Sequence, residues 1–149
     1  MSDTPEQLVQ ACAVAIEGRA ILLEGPPGIG KSSLILSLID RGAELIGDDG
    51  ARLTREADQV IVSPPPNIEG LLEIRGVGLI KLPVCQGAPL ALILSLVEEG
   101  HAERLPSMLV SRDIFGVPIP ILPFVPGTKA PALRTEWALR VHGLPCEAA

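Results

Sequence analysis

The chain has no tyrosine, one tryptophan and two phenylalanines in 149 residues. Its core must therefore be aliphatic, and it lacks the aromatic side chains on which single-stranded nucleic acid stacks. Positive charge is also short. Twelve Lys and Arg against 18 Asp and Glu leave a net charge of −6 and a pI near 4.9, which argues against a general nucleic-acid binder and for a protein or a small phosphorylated partner. Cysteine is sparse: Cys12, Cys85 and Cys146 are odd in number, far apart, and form no C-x-x-C. That excludes a disulfide framework or a zinc site and suits a reducing cytoplasm. Met1-Ser2-Asp3-Thr4-Pro5-Glu6 has no basic stretch of the kind that opens a signal peptide. No run is long enough to span a bilayer either, since the charge-free stretch 82–97 is broken by Pro83, Gly87 and Pro89. The expectation is a cytoplasmic chain without membrane contact. What is abundant is aliphatic residue: hydrophobic content is 47% and mean hydropathy +0.39, enough for one folded domain over residues 1–149.

One stretch organises the rest. Gly25-Pro26-Pro27-Gly28-Ile29-Gly30-Lys31-Ser32 fits G-x-x-x-x-G-K-[ST], the phosphate-binding loop. Ala20-Ile21-Leu22-Leu23-Glu24 before it reads as a buried strand, and Ser33-Leu34-Ile35-Leu36-Ser37-Leu38-Ile39 after it as a helix with an apolar face. A strand, a glycine-rich turn and a helix N-terminus make an anion site from inward N–H groups and the helix dipole. Pro26 and Pro27 have no N–H, so the donors must come from Gly28 through Ser33. Lys31 is placed to reach the β and γ phosphates of ATP and Ser32 to hold Mg²⁺.

Residues 8–16 are β-compatible, with Gln10 and Cys12 inside them, and Glu17-Gly18-Arg19 reads as a hairpin turn into the next strand. The helix is expected from Lys31 to about Arg41, with Gly42 as its left-handed cap. A strand over 43–47 ends at Asp48-Asp49-Gly50, two adjacent carboxylates where Walker B acids lie. They are either acids of the site or a solvated turn. On an extended strand they point to opposite sides, so both reach one site only if the chain bends, as Gly50 would allow. Residues 51–54 and 59–63 read as short strands, and Pro64-Pro65-Pro66-Asn67 breaks regular structure. The stretch 68–82 reads as a short helical turn, a glycine-marked bend and a strand. An apolar strand over 89–97, a polar loop over 98–106, and strands over 108–114 and 117–122 follow. Pro118, Pro120 and Pro123 make the last an edge strand at best. Pro126-Gly127-Thr128 is a loop with Thr128 as a candidate N-cap. A helix over 130–141 closes the chain, with Gly143 ending it and residues 145–149 as a tail. Trp137, with Leu133 and Val141 at helical spacing, reads as a packing residue. Strands thus outnumber helices after the loop. The fold class is α/β, with a P-loop core in a mixed, largely antiparallel sheet.

With Ile39-Asp40-Arg41-Gly42, Asp48-Asp49 and Leu72-Glu73-Ile74-Arg75-Gly76-Val77-Gly78-Leu79-Ile80, the loop resembles the bacterial HPr kinase/phosphorylase family, in its catalytic domain and short alphaproteobacterial form. The resemblance covers nearly the whole chain and leaves out the separate N-terminal domain of longer members. It implies a nucleotide core similar to that of phosphoenolpyruvate carboxykinase, and a hexameric homo-oligomer. It also implies a kinase for a serine of HPr, the phosphocarrier of the phosphotransferase system, with phosphorolysis of phosphoserine as the reverse reaction. Asp49 becomes the base for that serine, Asp48 a support for the metal or water shell, Glu73 the second Mg²⁺ ligand and Arg104 a steadying cation for the transferred phosphate. Glu73 lies between apolar residues, where an unpaired carboxylate is costly; pairing with Arg75 is the alternative. Arg104 is otherwise a surface residue.

Two departures from the family matter. Its catalytic histidine is matched here by Gln10, which can hydrogen-bond but not carry a proton. His101 and His142 read as surface residues. Its arginine-rich P-V-R-P-G-R segment is here Phe124-Val125-Pro126-Gly127-Thr128-Lys129, with only Lys129 left. An ATP-dependent HPr serine kinase is thus the leading expectation. A nucleotide-binding sensor with impaired catalysis and a P-loop kinase for a small molecule are the alternatives.

Overall fold

Small and branched apolar residues from Cys12 to Leu23 make two strands that are buried on both faces. In the computed structural model, which describes residues 5–66 and 70–145, these are β2 (Cys12–Ile16) and β3 (Arg19–Glu24), joined by a two-residue turn with Glu17 and Gly18 at φ 51° and 82°. Cys12, Val14, Ile21 and Leu23 face one side. There α1 (Lys31–Asp40) packs through Leu34, Ile35 and Leu38, and α2 (Pro131–His142) through Ala132, Ala138 and Leu139. Ala13, Ala15, Ala20 and Leu22 face the other side, against a second core made only of sheet residues and connecting segments.

That second core exists because the sheet curls. Its order is β1 (Glu6–Val9), β5 (Ala51–Glu56), β6 (Gln59–Ser63), β9 (Ala88–Leu96), β3, β2 and β4 (Glu44–Gly47). β9 is shared along its length. Ala88 and Pro89 pair antiparallel with β6, and Ile93 to Leu96 pair parallel with β11 (Val117–Phe124), while β3 runs parallel along its other edge. β10 (Val110–Ile114) completes a hairpin with β11. In the gap between β6 and β11, Leu144 donates its N–H to the Ala91 carbonyl (2.9 Å), and its own carbonyl accepts from Arg19 (3.1 Å). The result is a mixed α/β fold, mostly antiparallel, with two helices on one face of a curled sheet. No helix among the described residues is long and apolar enough to cross a membrane.

Several sequence expectations are corrected. Residues 8–16 are two strands, since the chain bends at Gln10 and sends β1 to β5. Residues 71–81 hold no helical turn but a separate hairpin, β7 (Leu71–Ile74) and β8 (Gly78–Lys81), because Gly76 at φ 83° reverses the chain after four residues. β11 is not an edge strand. In its two-residue hairpin Val117, Ile119 and Ile121 donate toward β10, so Pro118 and Pro120 face the β9 side, where pairing begins only at Ile121. Pro123 faces the β10 side, where pairing has ended. The cap of α2 is Ala130, in left-handed conformation with Pro131 following, and not Thr128. Trp137, Leu133 and Val141 share a face as their spacing implies, but it is the outer one, with Trp137 59% exposed under Arg140. The inner face is built of Ala132, Thr135, Ala138 and Leu139, and of Glu136, which accepts two hydrogen bonds from Arg41 at 2.9 and 3.0 Å. Asn67, Ile68, Glu69 and the tail from Cys146 lie outside the described residues.

Leu38 is fully buried between α1 and the sheet, whereas Leu36 on the same helix is 39% exposed. Leu38→Ala should lower stability by about 2–5 kcal/mol and Leu36→Ala by no more than about 1 kcal/mol. Urea denaturation midpoints at unchanged slope measure both.

Candidate functional site

β3, β9 and β11 run parallel, and β4, two antiparallel steps from β3 through β2, runs the same way. Their carboxyl ends therefore emerge at one edge, where open α/β sheets bind ligands. Loops 25–30, 48–50, 97–109 and 125–130 all leave from that edge. Close contacts join them. A Cβ on Gly25 would stand 3.0 Å from the Leu96 carbonyl at the end of β9, and the Val97 N–H donates to the Phe124 carbonyl at 2.9 Å.

Loop 25–30 enters α1 through Gly30, at φ 106° and ψ 20°, a left-handed cap that a side chain would strain. Lys31, Ser32 and Ser33 occupy the first turn, whose N–H groups have no intrahelical partner. No side chain caps them and no acid stands among them. The Ile29 N–H is turned back to the Pro26 carbonyl at 3.3 Å, so among Gly28 to Ser33 it shapes the loop and does not face outward. The Lys31 ammonium donates to the carbonyls of Gly25 and Pro26, arching over the loop between them.

The Asp48-Asp49 elbow bends differently from the sequence expectation. Gly50 is not left-handed; Asp49 itself is, at φ 64°, a conformation that aspartate tolerates better than most residues. Gly47 makes the bend possible, for a Cβ there would lie 1.8 Å from the Gly50 carbonyl oxygen. Asp49 is exposed, whereas Asp48 is half-buried. The Asp48 Oδ1 accepts from the Cys12 thiol at 3.5 Å and its Oδ2 from the Glu73 backbone N–H at 3.2 Å. The Cys12 thiol is pushed up to about 12, chiefly by burial. The Asp49 backbone N–H pulls it down, Asp48 pushes it up, and Lys31 is near enough to pull it down as well. Cys12 thus stays a protonated donor at neutral pH. Lys31, Asp48, Asp49 and the Glu73 strand are gathered around it.

Glu73 is exposed, and among the described residues its carboxylate has no ion pair, with Arg75 or otherwise. The apolar neighbours in sequence do not bury it, because on a strand they face the opposite side. Arg104 is exposed on the wall of an open concavity of about 400 Å³, with Phe124, Val125, Arg134 and Trp137. No hydrogen bond or ion pair joins it to the loop or the elbow among the described residues. Gln10 is exposed at the bend before Cys12, His101 is exposed, and His142 is half-buried.

Three supports had no signal in the sequence, two of them because their partners are far apart in the chain and one because it binds backbone carbonyls, which carry no sequence pattern. Glu24, the last residue before the loop, holds Arg112 of β10 in a two-bonded ion pair at 2.6 and 2.9 Å, and the pairing raises the Arg112 pKa. Arg134 donates to the carbonyls of Val125, Pro126 and Lys129 at 2.6 to 2.9 Å, with its guanidinium over the Phe124 ring. It fixes the loop that carries Lys129. Cys12 is the third.

The family model described as HPr Serine kinase C-terminal domain matches residues 3–133. The chain is 36% identical over 126 residues to the HPr kinase/phosphorylase of Bordetella pertussis strain Tohama I, covering 77% of this chain and 41% of that protein. It is 33% identical over 135 residues to the HPr kinase/phosphorylase of Clostridium tetani strain Massachusetts, covering 83% of this chain and 44% of that one. The chain thus spans less than half the length of these relatives. The solved structure of the Hpr(Ser) kinase/phosphatase from Coxiella burnetii superposes with a TM-score of 0.81 at 31% identity, covering 91% of this chain and 95% of that one.

Gly47→Ala must move backbone, whereas a Cβ at Gly50 meets only the Pro65 ring at an ordinary 3.7 Å. Gly47→Ala should cost about 2–4 kcal/mol and Gly50→Ala about 1 kcal/mol or less. Thermal unfolding of the two variants side by side reads the difference.

Proposed function

We propose, from the premise that this chain belongs to the HPr Serine kinase C-terminal domain family, that it transfers the γ-phosphoryl group of ATP to a serine hydroxyl of an HPr-type phosphocarrier. The observation that carries this reading is the convergence on one sheet edge of the glycine-rich loop with Lys31 and of the elbow with Asp49. Phosphoryl transfer asks for positioning, charge neutralisation and a base. The N–H groups of Gly28, Gly30, Lys31, Ser32 and Ser33 would hold the phosphates, helped by the positive end of α1. Lys31 would exchange its loop carbonyls for the β and γ oxygens. Asp49 would take the serine proton as the serine oxygen forms its bond to phosphorus. The bond to the bridging oxygen then breaks, and ADP leaves.

A hard cation fits the donors present. The Ser32 hydroxyl and the Glu73 carboxylate are oxygen donors on exposed residues. Two such donors would leave the other positions of a hard ion to phosphate oxygens and water. Ser32 and Glu73 would hold Mg²⁺, which supplies charge neutralisation at the phosphates. A nucleotide core of the phosphoenolpyruvate carboxykinase kind, assembly as a hexamer and a cytoplasmic setting belong to the same proposal.

Arg104, on the wall of the concavity, would steady the transferred phosphate. The reverse reaction has weaker support. Gln10 cannot shuttle a proton, and the Arg134-held loop 125–129 offers only Lys129 to inorganic phosphate.

Incubation with γ-labelled ATP, Mg²⁺ and an HPr-type carrier should label a carrier serine, and Asp49→Asn should reduce the rate by about 10²–10⁴-fold. Nucleotide binding without label would replace the kinase by a sensor. Phosphate-driven release of pyrophosphate from the phosphoserine carrier should run at about one hundredth of the forward rate; equal rates would remove the role given to the missing arginines.

A further inference from the structure

Asp48 engages each of its carboxylate oxygens with a donor of the protein itself. Oδ1 takes the thiol of Cys12, which is 1% exposed on β2, and Oδ2 takes the backbone N–H of Glu73 on β7. The second bond joins parts that share no strand pairing, since β7 and β8 pair with each other and not with the nine-stranded sheet. The Glu73 N–H is free to make it. Val77 closes the hairpin turn by donating to Ile74 at 2.9 Å, and Ile74 stands opposite Gly78, so the next pair, Glu73 and Leu79, points its N–H groups outward. Leu72, on the other face of β7, is buried with the residues of α1. Residue 73 is thus held from two sides, by Leu72 in the core and by Asp48 at the site.

We propose that Asp48 is a positioning residue and not a member of the reacting shell: held by the Cys12 thiol, its carboxylate staples the β7–β8 hairpin to the Gly47–Gly50 elbow and so sets where Asp49 and Glu73 stand. Three elements, β2, the elbow and β7, meet in one carboxylate. Asp49, at φ 64° beside it, is the acid left for substrate. Cys12 suits the task because a buried protonated thiol is a donor that fits among apolar neighbours. Valine would fill the same space without donating, and serine would donate from a smaller atom. This role rests on the kinase reading for its catalytic consequence, but not for the staple itself.

The test uses the full chain and two readouts. In the free protein, Asp48→Ala should speed hydrogen exchange at the Glu73 amide about fivefold or more, the loss of one hydrogen bond, while amides in β3 stay unchanged. Cys12→Val should shift the same amide, and it decides the matter alone if Asp48→Ala does not fold. In the transfer assay Cys12→Val should lower kcat about tenfold with the KM for ATP little changed, and Cys12→Ser should recover most of that loss. An unchanged Glu73 amide in these variants overturns the staple. Equal rates in Cys12→Val and Cys12→Ser overturn the thiol's part in it. Absence of transfer in the unmodified chain would sink the kinase reading, while the exchange result would still judge the staple.

Discussion

Where Leu23 and Glu24 of β3 lie beside Leu94 and Ser95 of β9, the two strands run parallel and end together. A parallel pair cannot be closed by a short turn, so the chain must travel far between them, and it uses the distance to build α1, β4, the β5–β6 pair and the β7–β8 hairpin. β11 repeats the arrangement on the other side of β9. Each return to the sheet leaves one more strand end at the same edge. The glycine-rich loop, the carboxylate elbow and the Arg134-held loop are neighbours for that reason, and none of them carries the geometry by itself.

The two cores follow from the same pairing. A strand flanked on both edges and covered on both faces can be wholly apolar, and β3 from Ala20 to Leu23 is. One face takes helices, whose stripes of Leu34, Ile35, Leu38 and Leu139 pack on its aliphatic side chains. The other face has no helix to cover it and is covered by the sheet curling over. This explains how a chain with so few aromatic residues folds: aliphatic layers a strand or helix apart need no large ring to bridge them.

Features that depend on near neighbours were legible in the sequence. The loop motif, the turn at Gly18, the cap at Gly42 and most strands could be read from composition and period, and the family from its own stretch around Glu73. What failed had its cause elsewhere in the chain. Residues 71–74 are too short and too apolar to reveal a period, and only their partner β8 makes them a strand. The prolines of β11 looked like an edge because the staggered pairing that accommodates them is set by β9 and β10. Trp137 lies on a helical stripe, but the stripe that faces inward is the one that carries Ala132, Thr135, Glu136, Ala138 and Leu139. At the elbow, the two acids were visible in the sequence and their surroundings were not. The bend belongs to Gly47 and Asp49, and the partners of Asp48 come from β2 and β7.

Leu144 fills the gap between β6 and β11, and Arg19 at the start of β3 closes on its carbonyl. One of the first strands made is therefore completed by one of the last residues described. On a ribosome, chain emerging up to Gly50 already contains the loop and both acids of the elbow, but neither β9 to order them nor Leu144 to seal the sheet. Such long-range closure slows folding. It also means that a nascent chain holds its glycine-rich loop for most of its synthesis without a sheet edge to present it.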